Sequence, residues 1–278
     1  MAVRSLGKKR GASWSIEDIP YHALVPHSGS VDQRLFYLVA CASFIEITST
    51  LYTRNLVDYF RGDSEVVEWL EREWESEELR HGAALKRYVR TAWPGFDWEA
   101  AYRTFLDQYT PLCTVEQLAG TRALEMVARC VVETGTAAFY RMVSELSEEP
   151  VLSGLAARIS ADEVRHYKHF YRYFLRYRAL ERPGRAAVLR TLWHRLAAID
   201  SEDAFCAFKA VFLACNPDCV FQRSDYDSWR DDALQLVKRH LPHEMAVKML
   251  LKPLGLQPWV GRAVAPVVVS AARCFLLR

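Results

Sequence analysis

Two five-residue stretches, Glu77-Glu78-Leu79-Arg80-His81 and Asp162-Glu163-Val164-Arg165-His166, share the pattern acid-Glu-x-Arg-His. On an α-helix, residues three apart lie on one face, so Glu78 and His81 address one point, as do Glu163 and His166. A carboxylate and an imidazole converging in this way supply part of a metal's donor set. Two helices each giving Glu-x-x-His, with two further helices each giving one Glu, hold a pair of metal ions. A lone Glu-x-x-His is a weak signal; two copies at matching helical positions are a strong one.

The elements that position these residues follow from apolar periodicity. A first long helix is expected over about Val31 to Phe60, with Leu35, Val39, Ala42, Glu46 and Thr50 on one stripe. Glu46 is flanked by Phe44, Ile45 and Ile47, and a carboxylate buried there needs a partner. Arg61-Gly62-Asp63-Ser64 makes the turn into a second helix, about Glu65 to Ala92, whose stripe is Leu70, Trp74, Glu78 with His81, Leu85 and Tyr88. Trp93-Pro94-Gly95 ends it, and a connection with a short helical piece near Trp98 to Tyr109 crosses over. The third helix, about Thr114 to Ser147, carries Met126, Cys130, Glu133, Ala137 and Tyr140 inward. Glu125 competes with Glu133 as its inward carboxylate; Glu133 is preferred for its apolar neighbours Val131, Val132 and Ala137. The fourth helix, Val151 to about Arg182, places Leu155, Ile159, Glu163 with His166, Phe170, Tyr173 and Tyr177 on one stripe. Both motifs therefore fall on apolar faces, where surface Glu and His would not.

The chain reads as all-α: an N-terminal arm (1–30), a four-helix bundle with one crossover connection (31–183) and shorter C-terminal helices packing on it (184–278), broken near Asn216-Pro217, Pro242, Pro253 and Pro258. Its 51% hydrophobic and 25% charged residues are globular chemistry, and a net charge of +2 gives no pull towards nucleic acid. Seven cysteines without a Cys-x-x-Cys argue against a disulfide framework and a zinc ribbon. The first ten residues lack the apolar core of a secretory signal, and Trp259 to Leu277 is broken by Arg262, Pro266 and Arg273, so no membrane span is expected and the expected setting is the cytoplasm. No Gly-rich phosphate loop or nucleophile elbow is present, and no organic cofactor is expected. His240, His243 and Glu244 form a weaker metal-like cluster.

Six ligands result: Glu46, Glu78, His81, Glu133, Glu163 and His166. Four carboxylates balance two divalent ions, and oxygen donors with one imidazole per metal suit iron or manganese better than zinc. Glu78 and Glu163 are expected to bridge, with Glu46 and His81 at one metal and Glu133 and His166 at the other. Glu77, Asp162, Arg80 and Arg165 are the natural outer partners, Asp162 supporting His81 and Glu77 supporting His166, because ligating imidazoles donate their other N–H to a carboxylate.

These residues make the chain resemble the ferritin-like di-iron carboxylate superfamily. Glu-Glu-Leu-Arg-His-Gly with Glu68-Trp69, Trp74, Leu85 and Tyr88 around it, together with Ile159 to His166, resembles the soluble acyl-carrier-protein desaturase family over about residues 31 to 180. Glu133-x-x-Thr136 is similar to that family's third-helix ligand with its oxygen-side threonine, which implies a catalytic role for Thr136. The resemblance implies an oxygen-dependent oxidation of an alkyl chain by two iron ions (or a manganese–iron pair), electrons from a ferredoxin-type donor, substrate carried by an acyl carrier protein, and a monomer or homodimer. Nine Lys/Arg against three Asp/Glu between Arg158 and Arg190 suit an acidic carrier. Hydroxylation and aldehyde deformylation use the same core. N-oxygenases of the superfamily carry an extra His where this chain has Ile159, and iron storage is the non-enzymatic alternative.

Overall fold

In a computed structural model, which describes residues 14–26, 33–113, 118–197 and 202–275, the described residues contain helices and no strand. Helices α1 (Gln33–Ile47) and α2 (Ser49–Tyr59) form one bent rod. Helix α3 (Ser64–Trp69) runs through a π turn (Leu70–Trp74) into α4 (Glu75–Ala92). Helix α5 (Trp98–Tyr109) lies in the crossover, and α6 (Arg122–Leu146) and α7 (Pro150–Glu181) form a long antiparallel hairpin. Helices α8 (Arg185–Ala197), α9 (Glu202–Cys215), α10 (Arg223–His240), α11 (His243–Leu251) and α12 (Pro258–Phe275) follow; α8, α10 and α11 pack against α6, and α9 packs on α1 and α5. The result is the expected ferritin-like four-helix bundle with one crossover and added C-terminal helices.

Local chemistry fixes the helix ends. Asp63 caps α3 by accepting from Val66 N, and the same carboxylate binds Arg176 and Tyr177 of α7, so the start of one helix is pinned to the end of another. Glu149 accepts from Val151 N and Leu152 N (2.8 and 2.7 Å), with Pro150 in the first turn of α7, where its missing N–H costs nothing. Arg182, in the left-handed region (φ 50°), ends α7 before Pro183-Gly184. Ser144 and Ser153 each donate to the other's backbone carbonyl (2.9 and 2.7 Å), holding α6 and α7 close at their turn.

Three expected helices differ in detail. The first is broken at Thr48, whose hydroxyl donates to Phe44 O (2.7 Å), a back-bond that bends helices. Gly82 of α4 lies against this break. A Cβ at Gly82 would sit 2.4 Å from Ile47 N, so the two backbones meet where only glycine fits. The second helix contains the π turn. Its stripe steps by four from Leu70 to Trp74 to Glu78, and each such step overshoots an α turn by about 40°. The wider turn takes up part of that drift and keeps Leu70 and Trp74 buried above Glu78. The third helix starts at Arg122, not Thr114, because Thr121 caps it by accepting from Leu124 N; residues 114–117 lie outside the described residues.

The apolar core falls into two clusters. One contains Phe44, Leu85, Tyr88, Tyr140, Leu155 and Ile159; the other contains Leu56, Leu70, Trp74, Met126, Cys130, Phe170 and Phe174. Along every bundle helix, the proposed ligands lie between these two clusters. Part of the expected loose arm is also packed: Trp14, Ile19, Tyr21 and Leu24 are buried in the first cluster, and residues 1–13 and 27–30 lie outside the described residues. Among the described residues no single helix is long and apolar enough to cross a membrane. The bent pair Arg34–Ile47 and Ser49–Tyr59 (41°) reaches that length only jointly, and Phe36, Val39, Phe44 and Leu56 on it are buried in the bundle.

An alanine placed at an ordinary helical glycine stabilises by roughly 0.5–1 kcal/mol. Gly82→Ala should instead destabilise by about 1–3 kcal/mol, the cost of overpacking. Chemical denaturation measures this, and equal or higher stability would show that the α1–α4 contact is not tight.

Candidate metal centre

Glu46 from α1, Glu78 and His81 from α4, Glu133 from α6, and Glu163 and His166 from α7 converge in the layer between the two apolar clusters, all of them buried. Donor atoms of Glu46, Glu78, His81 and Glu163 lie within 4.8 Å of one another, and so do those of Glu78, Glu133, Glu163 and His166. Glu78 and Glu163 belong to both groups. His81 Nδ1 is 3.1 Å from Glu163 Oε1 and 3.9 Å from Glu46 Oε2. His166 Nδ1 is 3.1 Å from Glu78 Oε1 and 3.5 Å from both Glu133 Oε2 and Glu163 Oε2.

The other imidazole nitrogens face outward to carboxylates. Asp162 Oδ2 receives His81 Nε2 (3.1 Å), Arg80 Nη2 (2.9 Å) and Trp14 Nε1 (2.9 Å), while its Oδ1 receives Arg165 Nη1 (2.7 Å). Glu77 Oε2 receives His166 Nε2 (2.8 Å) and Arg165 Nη2 (2.7 Å). With Nε2–H directed at a carboxylate, each ring turns Nδ1 inward as the donor atom. The single hydroxyl hydrogen of Thr136 has Glu163 Oε2 as its nearest acceptor (3.1 Å), with the carbonyls of Val132 and Glu133 as alternatives.

Two contributors were not identified from the sequence. Tyr140 Oη donates to Glu46 Oε1 (2.5 Å); its place on the inward stripe of the third helix was visible, but a tyrosine there reads as core. Trp14 stacks on His81 (6.0 Å between centroids, 6°) beneath the Arg80 guanidinium, and nothing in an aperiodic arm announces that contact. The competing carboxylate Glu125 is engaged elsewhere, accepting from Ala119 N (2.8 Å) and pairing with Arg129 Nε (2.8 Å). His243 Nε2 contacts Lys238 O and Glu244 pairs with Lys248, so that weaker cluster does not converge. Three arginines of the basic flank are matched by carboxylates of neighbouring elements. Arg165 meets Glu77 and Asp162, Arg172 meets Glu65, and Arg176 meets Asp63 and Glu65.

The donor set fits a metal. His81 Nδ1, His166 Nδ1, Glu133 Oε2 and Glu163 Oε1 are fully buried and make no hydrogen bond, although each faces the cluster. Burying such groups without compensation costs several kcal/mol apiece, and cations would satisfy all four. Without cations, protons must balance the charge. Burial pushes the Glu133 carboxyl up to about 8, and burial with the charges of Glu78 and Glu163 pushes Glu46 well up. Burial alone would discharge His81, but the carboxylates of Asp162 and Glu163 hold it at about 10. Glu163, although buried, is held low by both imidazoles, and Glu77, although partly buried, is drawn down to about 2 by His166 and Arg165.

Searches among known proteins add one likeness. The chain is 30% identical over 136 residues to a Mycobacterium tuberculosis protein named "Putative acyl-acyl-carrier-protein desaturase DesA2", in each of two strains. The match takes in 47% of this chain and 47% of each relative, so it spans about half the length of the curated proteins it matches. No family model and no solved structure matches the chain.

Two predictions follow from this geometry. A raised pKa contributes stability that is full below the unfolded value and lost as pH rises through the folded one. That window runs from 4.5 to about 8 for Glu133 and from 6.5 to about 10 for His81. Metal-stripped protein should therefore lose stability between pH 5 and 8 (roughly the Glu133 window), while metal affinity rises as protons leave the donors. The melting-temperature gap between loaded and stripped protein should widen across that range; a constant gap would contradict the assignment. Asp162→Asn, which disturbs the His81 contact, should weaken metal binding about 10–100-fold by competition with a chelator.

Proposed function

We propose that the chain is a di-iron oxidoreductase that uses dioxygen to oxidise an aliphatic, acyl-chain-like substrate by removing hydrogen from an unactivated C–H bond. The observation carrying this reading is the pair of buried four-residue donor groups that share Glu78 and Glu163 between the bundle's apolar clusters. The likeness to a desaturase-named protein over about half of each chain supports it at the level of chemistry class. The substrate class, the two-iron stoichiometry, an electron donor of the ferredoxin type and an acyl carrier belong to the proposal.

In this reading Glu46 and His81 would hold one metal, Glu133 and His166 the other, and Glu78 and Glu163 would span both. Two ferrous ions so held supply the reducing electrons that dioxygen activation requires. The chain's own groups then do the rest. Asp162 and Glu77 fix the two imidazoles with Nδ1 inward. Tyr140 orients Glu46 through its hydroxyl hydrogen. Thr136 holds a transferable proton at Oγ1, beside Glu163 Oε2, where it can be passed towards the reacting oxygen. The apolar clusters on either side exclude water, which would otherwise consume a reactive oxidant unproductively.

Ferrous-loaded protein should take up dioxygen faster when a long-chain acyl thioester and a reductant are added, and mass spectrometry of the acyl chain should show hydrogen lost or oxygen gained. His81→Ala should abolish both iron loading and product. Oxygen uptake that responds to added iron alone, in a large assembly on a sizing column, would assign the chain to iron storage instead.

A further inference from the structure

Helix α8 carries an exposed apolar stripe beside its buried one. Val188 and Leu192 are buried against the second core cluster, as the inner face of a bundle-covering helix must be. An adjoining, outward stripe carries Leu189, Trp193 and Leu196, which are 57%, 70% and 37% exposed. With successive residues 100° apart, Leu196, Leu189, Trp193 and Ala186 fall within an arc of about 80°. Arg190 and His194 border that arc on one side and Arg185 on the other, all exposed, with exposed Arg182 just before the helix. From Arg182 to Ile199 the sequence holds no Asp or Glu. Among the described residues, no carboxylate pairs with Arg182, Arg185, Arg190 or His194, unlike Arg165, Arg172 and Arg176 of α7. Arg185 donates to a backbone carbonyl, Gly255 O, at 3.5 Å.

A stripe of Leu and Trp edged by unneutralised cations matches a helix lying in the plane of a membrane interface. There the apolar side chains enter the acyl boundary and the cations meet anionic headgroups. We propose that the outward face of α8 docks the protein on an anionic lipid surface. Pairing with a second copy fits less well. A two-fold contact sets the same patch against itself and brings the α8 cations together without acids to offset them. The surface also needs no matching pocket, since one helix face buries far less than a stable protein–protein interface requires. This docking is independent of the metal centre and would bring the bundle to a source of acyl chains.

Flotation of the full chain with phosphatidylcholine vesicles, with and without phosphatidylserine, tests the proposal. The protein should float only with the anionic vesicles, and salt should release it as the Debye length shrinks. The double variants Leu189→Ser/Trp193→Ser and Arg185→Glu/Arg190→Glu should each lower the bound fraction about tenfold, with helix content by circular dichroism unchanged. A wild-type chain that stays in the lipid-free fraction, or variants that float as well as wild type, would overturn it. So would the apolar double variant turning a dimer into a monomer, or losing an acidic carrier protein, when no vesicles are bound.

Discussion

Four carboxylates and two imidazoles in one water-poor layer are the constraint on which the rest of this structure depends. A single carboxylate taken out of water costs several kcal/mol unless charge or hydrogen bonds compensate it. Here Glu46 shares one donor group, and Glu133 the other, with both Glu78 and Glu163, so each carboxylate adds to the penalty of its neighbours. Apolar clusters above and below forbid relief by solvent. The chain keeps such a layer because the surrounding contacts fix every member in place, and because positive charge, from metals or from protons on the imidazoles, completes it.

Those surrounding contacts reach well beyond the bundle's four helices. Asp162 gathers donors from His81, Arg80, Arg165 and Trp14, tying α4, α7 and the N-terminal segment into one network. The acid therefore orients an imidazole and anchors the arm at once. Glu77 does the corresponding work for His166, where Trp74 meets the imidazole edge-on (6.5 Å between centroids) in place of a stacked indole, so the two halves of the pseudo-symmetric centre are not equivalent. The His81 side is sealed by the indole of Trp14, and its carboxylate Glu46 is held by Tyr140. Gly82, directly after His81, lets α4 approach the break in the α1–α2 rod within backbone contact, which brings Glu46 to the same layer.

Much of this was legible in the sequence because helical periodicity and metal-ligand spacing speak the same language. Residues three apart share a face, and an apolar stripe says which face is inward, so the six convergent side chains could be named together with their helices. Glu133 was separable from Glu125 by its apolar neighbours and by a spacing to Glu163 that suits an antiparallel hairpin, and Glu125 proves to be matched to Arg129. What was not legible depends on contacts distant in sequence. The bend at Thr48 goes with a hydroxyl back-bond to Phe44 O and lies against Gly82 of α4; the π turn redistributes drift that a stripe of fours only hints at. Trp14 lies 148 residues from the acid it binds. Tyr140 could be placed inward, yet its hydroxyl gains meaning only once Glu46 is known to lie opposite. Other than Asp162, the acids that meet Arg165, Arg172 and Arg176 of α7 come from the start of α3 (Asp63 and Glu65) and from α4 (Glu77), pairings that sequence spacing does not reveal.

The central claim is that two cations belong in the layer between the apolar clusters. Diffraction from crystals grown with ferrous iron under anaerobic conditions, recorded above and below the iron edge, addresses it directly. The account predicts two anomalous peaks, one among Glu46, Glu78, His81 and Glu163 and the other among Glu78, Glu133, Glu163 and His166. Peaks at neither position, with the six side chains paired to one another through protons, would contradict it.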